Sequence, residues 1–134
     1  MALRVCQALS LVVTLIVSQM ASAAPLPQAG VFTYSDQCIS RGSGDTYGYR
    51  IALLRGPGGY IWALIYIDDS APILGFAKFD PKTGAIHIEA TDEAKNVTRV
   101  DGTVDTESLR RDGEPTLHRI SDSETKVPYC GTTG

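Results

Sequence analysis

Residues 60–90, YIWALIYIDDSAPILGFAKFDPKTGAIHIEA, contain three apolar runs separated by two turn signals. The first turn signal covers residues 68–72 and the second covers residues 80–84, and both combine aspartate with proline. In the last run, residues 85–90, apolar and polar side chains alternate from Ile86 to Ala90, as in a half-buried strand. The stretch therefore predicts three consecutive antiparallel strands joined by short turns.

The same alternation of short apolar runs and turn signals continues in both directions along the chain. A two-residue hairpin turn is expected at Asp101-Gly102, because aspartate and glycine tolerate the positive φ that such turns need. The pattern predicts an all-β fold, an antiparallel up-and-down meander that closes into a small barrel of about eight strands, with a β-sandwich as the alternative. The predicted strands are residues 30–35, 46–55, 60–67, 72–79, 84–90, 96–100, 103–109 and 115–120.

The first 23 residues have the three-part pattern of a secretory signal peptide. A basic start precedes a mostly apolar run, residues 5–17, and a small-residue segment that ends Ala21-Ser22-Ala23. The apolar run is shorter than the roughly 20 residues that span a bilayer. We expect cleavage before Ala24, and the signal pattern is typical of bacteria. The processed protein is then expected in a periplasm or in the medium, with no stable membrane anchor. An uncleaved anchor is the alternative.

Length and charge bound the remainder, residues 24–134, which we expect to form a single all-β domain. The chain has 134 residues, 12 Lys and Arg against 15 Asp and Glu, and a formal net charge of −3. An acidic balance argues against a general nucleic-acid binder, which needs a basic face.

Cysteine usage predicts one structural disulfide. Cys6 lies within the predicted signal, so Cys38 and Cys130 are left as a pair in an oxidising compartment. The sequence has no C-x-x-C motif, and neither cysteine has a basic neighbour that would activate a thiolate. Closing this pair in a meander barrel requires residues 121–130 to run back along the barrel towards Cys38.

The run at residues 60–67 is apolar on both faces, which a strand with one solvated face is not. One face must line the interior, and the other must be covered by the C-terminal tail, a partner chain or a ligand. Aromatic side chains with polar tips suit either a binding surface or ordinary sheet packing. The candidate ligand or partner surface is Tyr47, Tyr49, Tyr60, Trp62 and Tyr66.

Catalytic and cofactor signals are poor. The two histidines are His87 and His118, and His87 shares the expected solvent face of its strand with Glu89. We interpret that pair as solvated, because no nucleophile, zinc or phosphate-loop motif accompanies it. The sequence predicts a protein that is not an enzyme, without catalytic or metal-binding residues and without a cofactor.

Gly30-Val31-Phe32 opens the first predicted strand, and Arg119 lies in the last one. In these positions the chain resembles the calycin-like barrels, the lipocalins and avidins, in which the first strand begins Gly-x-Trp and a late arginine of lipocalins packs over that tryptophan. Phe32 stands in place of the tryptophan here. The resemblance implies the barrel fold and no particular ligand.

Two functions follow as hypotheses. The first is a non-catalytic binding protein for a small apolar or amphipathic ligand held by the aromatic side chains. The second is a protein-binding module, such as a secreted enzyme inhibitor, in which the two-sided apolar strand contacts a protein partner.

Overall fold

The computed structural model describes residues 24–121, 124 and 126–131. The predicted signal peptide, residues 1–23, lies outside the described residues. Strands and turns make up the described chain, and each strand begins close to one of the apolar runs in the sequence. Its strands are β1 (Gly30–Ser35), β2 (Cys38–Ile39), β3 (Thr46–Tyr47), β4 (Tyr49–Arg55), β5 (Ile61–Ile67), β6 (Ile73–Phe79), β7 (Ala85–Thr91), β8 (Val97–Val104), β9 (Ser108–Arg111) and β10 (Leu117–Ile120).

Eight of these strands form a closed antiparallel barrel in the order β1-β4-β5-β6-β7-β8-β9-β10, and β10 pairs with β1 to close it. The predicted all-β meander barrel is confirmed, and the sandwich alternative is wrong. Strands β2 and β3 form a separate two-stranded sheet in the connection between β1 and β4. Closure pairs both edges of the meander, which would otherwise invite aggregation.

The barrel interior is filled with aliphatic side chains. Alternate residues of every long strand point inward, and the side chains nearest the axis have an exposed fraction of 0%. Solvent does not reach these side chains, and they belong to one hydrophobic core. They include Ile51, Leu53, Ile65, Ile88, Leu109 and Leu117.

The predicted strand 46–55 is divided at Gly48, which corrects the boundary. Gly48 has φ 100°, and a Cβ there would lie 2.7 Å from Asp36 Oδ1. That Asp36 oxygen accepts a hydrogen bond of 2.6 Å from the Tyr49 backbone N–H. The turn leaves Tyr47 in β3, paired with Cys38, and starts the barrel strand at Tyr49.

The predicted hairpin turn at Asp101-Gly102 is wrong, because β8 runs unbroken through both residues. Gly102 serves a close approach to β9 instead, since a Cβ there would lie 1.9 Å from the Arg110 carbonyl oxygen. The chain reverses at Asp105, whose Oδ1 accepts hydrogen bonds of 2.8 Å from the backbone N–H groups of Glu107 and Ser108. The number of strands is unchanged, because the three predicted segments become β8, β9 and β10.

The Cys38–Cys130 disulfide is present and joins residues separated by 92 positions, as predicted. The tail returns to β2, where Ile39 pairs with Tyr129 and donates a backbone hydrogen bond of 2.8 Å to the Pro128 carbonyl. In the chain-entropy model a loop of this length contributes about 4–5 kcal/mol to stability.

Arginine side chains lie over aromatic rings at both ends of the barrel. Arg111 is buried, lies 4.2 Å from the Tyr49 ring centroid and pairs with Asp36 at 3.1 Å. At the other end, the Arg119 guanidinium carbon is 5.2 Å from the Phe32 ring centroid. These contacts place a planar guanidinium group against an aromatic ring at each end.

Candidate functional site

Strand β5 has one buried and one solvent-facing apolar face. Ile61, Ala63 and Ile65 point inward and are at most 2% exposed. Trp62 points outward and is 40% exposed, and the outward-facing Leu64 and Tyr66 are half-buried. The sequence prediction that both faces of this strand are apolar is therefore confirmed, with the tyrosine and tryptophan stripe on the outside.

The outward residues of β5 belong to an apolar surface that crosses four strands. One register row pairs Val31 with Leu54, Leu54 with Trp62, and Trp62 with Phe76. The next row pairs Leu64 with Leu74. We call this surface the outer apolar face; it comprises Val31, Leu54, Trp62, Leu64, Leu74 and Phe76.

Large rings form the centre of the outer apolar face. The Trp62 and Phe76 ring centroids are 3.8 Å apart, with an angle of 41° between the ring planes. Phe76 is 56% exposed and Leu74 is 54% exposed, so the contact between the rings leaves much apolar area open. Contiguous apolar patches of this kind, unlike single exposed residues, mark interaction surfaces.

The same register row changes character at β7. Phe76 pairs with Glu89, and Glu89 pairs with Arg99 on β8. Arg99 Nε donates a hydrogen bond of 3.1 Å to Glu89 Oε2, so this half of the row is an exposed ion pair. The outside of the barrel therefore holds apolar side chains on some strands and charged side chains on others. Closure of the barrel does not require an apolar outside.

The five residues predicted as a ligand or partner surface do not form one site. Trp62 and Tyr66 lie on the outer side of β5, and Tyr60 precedes that strand with a 74% exposed ring. Tyr49 packs against the core beneath Arg111, and Tyr47 lies in the β2–β3 sheet. The break at Gly48 separates Tyr47 from the barrel.

Sequence reasoning missed Val31 and Leu54 as members of the outer apolar face. Both alternate with buried neighbours, Phe32 and Leu53, so alternation assigns them to the outside of β1 and β4. Their proximity to Trp62 depends on strand order and register, which alternation within a single strand does not reveal.

His87 lies on the polar half of the outside. It contacts Asp101 and not Glu89, which shares its strand face. His87 Nδ1 lies 2.5 Å from Asp101 Oδ1 across β7 and β8, whereas Glu89 binds Arg99. Both members are well exposed, at 40% and 56% of their side-chain areas, so water screens the pair. No group of three metal-ligating side chains occurs in the part of the chain that the structure describes.

A groove of about 610 Å³ lies between the β5–β6 and β7–β8 turns. Ile67, Pro72, Ile73 and Leu74 supply apolar lining on one side, and the β7–β8 turn supplies the other. Leu74 also belongs to the outer apolar face, so the groove continues that surface to the end of the barrel.

No family model, curated protein or solved structure matches this chain. Among the residues that the structure describes, no helix is long and apolar enough to cross a membrane.

The β8–β9 turn contains a buried aspartate and accepts a buried hydrogen bond. Tyr34 donates a buried hydrogen bond of 2.6 Å to the Asp105 carbonyl, and burial raises the pKa of its phenol well above the usual range. Burial opposes ionisation of Asp105, but hydrogen bonds from Glu107, Ser108 and Arg110 outweigh it and lower the pKa of the carboxyl. These groups fasten the turn and do not face the outer apolar face.

Proposed function

We propose that this chain is a non-catalytic protein-binding module whose partner covers the outer apolar face. The observation that carries the proposal is the row Val31–Leu54–Trp62–Phe76, which is apolar on the solvent side of four neighbouring strands. Interface centres are enriched in aromatic side chains and depleted of charge, and this row has the same composition.

The shape of the surface favours a protein over a small molecule. Small-ligand sites are concave and enclose most of the ligand's surface. The outer apolar face lies on the convex outside of a barrel, where only another extended surface buries it. The interior supports the same choice, because it is occupied by side chains such as Ile65, Ile88 and Leu109 that solvent does not reach.

Export supports a partner outside the cytoplasm. Disulfides form and persist in oxidising compartments, and Cys38–Cys130 is such a bond. Together with the signal pattern of residues 1–23, it supports a secreted or periplasmic protein. The contact of Arg119 with Phe32 supports a calycin-like barrel, in which binding surfaces are added to a stable scaffold.

The proposal is tested by affinity capture from the protein's own secretory compartment. The bait is the processed protein, compared with a Trp62→Ser, Phe76→Ser double variant that removes the centre of the outer apolar face. We expect a stoichiometric partner on the wild-type bait, and at least a tenfold loss of affinity for the double variant once that partner is purified.

The matched control is Val97→Ser, which removes an apolar side chain that is 45% exposed on β8, in the polar half of the barrel. This variant is expected to bind the partner as the wild type does. Equal retention of the same proteins by the wild type and the double variant would contradict the proposal, as would equal losses in the double variant and the control.

A further inference from the structure

The connections at one end of the barrel carry most of its acidic side chains. In an up-and-down barrel alternate connections lie at the same end, which puts four loops together. These loops hold eight of the 15 acidic residues and two basic ones. We call them the acidic end; they are residues 36–48, 68–72, 92–96 and 112–116.

The opposite end carries a smaller acidic excess. Its three loops, residues 56–60, 80–84 and 105–107, carry three acidic residues and one lysine. Asp105 is already paired there with Arg110. The charge asymmetry therefore runs along the barrel axis and gives its two ends different electrostatic potentials.

Several carboxylates of the acidic end are held in place by hydrogen bonds. Asp68 Oδ1 accepts a hydrogen bond of 2.8 Å from the Gly48 N–H, and Asp69 Oδ2 accepts one of 3.1 Å from the Thr46 N–H. The Asn96 side chain binds Asp92 at 2.8 Å and lowers the pKa of its carboxyl. Within the described residues, Asp36 is the one member of the eight with a salt-bridge partner, Arg111.

The groove described above opens at this end. Its apolar lining comes from Ile67, Ile73 and Leu74, whereas Asp92 and Glu93 contribute carboxylates from the β7–β8 turn. A groove with an apolar lining and an acidic rim is complementary to a chain segment that alternates apolar and basic side chains.

We propose that the acidic end recognises a basic segment of the protein partner, with apolar side chains of that segment seated in the groove. The inference rests on the proposed function and specifies the partner's chemistry. Leu74 lies in both the groove and the outer apolar face, so one partner surface reaches both. A second copy of this chain would instead bring an acidic surface of its own to the contact.

A peptide titration tests this inference on the processed protein. The probe is a short synthetic peptide of alternating Lys and Leu, with a Glu and Leu peptide and a Lys and Ser peptide of equal length as controls. Backbone NMR is expected to show Lys and Leu peptide contacts at residues 70–74 and 92–94, with an affinity that falls steeply as NaCl is added. Both control peptides are expected to bind much more weakly.

Charge reversal on the rim provides the matched variants. Glu93 is exposed in the β7–β8 turn, and Glu107 is exposed at the opposite end. Glu93→Lys is expected to weaken the Lys and Leu peptide about fivefold, and Glu107→Lys to leave it unchanged. Equal binding of the Glu and Leu peptide, equal effects of the two variants, or shifts confined to other residues would overturn the inference.

The partner identified by capture separates this inference from the proposed function. Loss of that partner in the double variant, with no weakening by Glu93→Lys or by salt, would overturn the basic-segment inference and leave the proposed function standing. If the outer-face double variant still binds the captured partner, the proposed function fails, while retained peptide binding in the groove would support its recognition of basic segments.

Discussion

The two halves of the barrel's outside differ, although one register row runs across both. On β1, β4, β5 and β6 the row consists of Val31, Leu54, Trp62 and Phe76, and on β7 and β8 it continues as Glu89 and Arg99. Behind both halves the interior is equally apolar, since Ile65 and Ile88 are each 0% exposed.

This difference separates what the fold needs from what it does not. A closed barrel needs alternating inward apolar residues, and both halves supply them. An apolar outside adds surface that attracts other chains, and β7 and β8 show that a charged outside is compatible with the same pairing. This difference supports the proposal that the outer apolar face serves binding, because folding does not require it.

The largest expected effect tests whether the interior is packed equally well behind the two halves of the barrel. Ile65→Ala on β5 and Ile88→Ala on β7 each remove a side chain that is fully buried. Each substitution is expected to lower the free energy of unfolding by about 3 kcal/mol, because it leaves a cavity in a packed core. Urea denaturation measures both values, and a large loss on one side alone would break the comparison.

A smaller effect is expected at Asp105, which fastens the β8–β9 turn. Asp105→Asn is expected to cost about 2 kcal/mol at neutral pH, because the charged hydrogen bonds to Glu107, Ser108 and Arg110 weaken. The folded-state pKa is lowered, so this stability is present above the unfolded pKa of about 4 and is lost as the pH falls through the folded value.

The check on this second prediction is denaturation of the wild type and the variant at several pH values. The difference between them should shrink below about pH 4, where the unfolded wild type takes up a proton on this carboxyl. A difference that stays constant into strong acid would show that the carboxylate charge is not what fastens the turn.

The smallest effects are expected on the outside itself. A double-mutant cycle on Glu89 and Arg99 should give a coupling of at most about 1 kcal/mol, weaker in concentrated NaCl, because both side chains are exposed. Phe76→Ser is expected to change stability by a similarly small amount without salt dependence. A loss of about 3 kcal/mol for Phe76→Ser would mean that the outer apolar face supports the fold after all.

Local patterning predicts much of this fold, because alternation and turn residues are local properties. The strands near residues 60–67, 72–79 and 84–90 follow from alternation, and the turn at residues 80–84 forms as expected, with Gly84 at φ 75°. The disulfide partners follow from the number of cysteines left after the predicted signal peptide and from the oxidising compartment that this signal implies. Closure into a barrel was favoured because it removes exposed edges.

The failures have a common physical cause, which is contact between one segment and its neighbour, a property that the pattern of a single strand does not show. Gly48 is required by the nearby Asp36 side chain, and Gly102 by the nearby Arg110 backbone, yet both look like ordinary strand or turn glycines in the sequence. For the same reason, His87 contacts Asp101 on the neighbouring strand and not Glu89 on its own strand. The candidate site was predicted at Trp62 and Tyr66, whereas the register that adds Val31, Leu54 and Phe76 is not visible locally.

The central claim is that the outer apolar face is open in the isolated protein and covered in its native setting. Hydroxyl-radical footprinting measures this by comparing the purified protein with the protein in an extract of its own secretory compartment. Trp62, the single tryptophan of the chain, and Phe76 are the reporters, and His87 on the polar half is the reference. The account predicts slower oxidation of Trp62 and Phe76 in the extract at an unchanged rate for His87. Equal oxidation rates of Trp62 and Phe76 in both samples would contradict it.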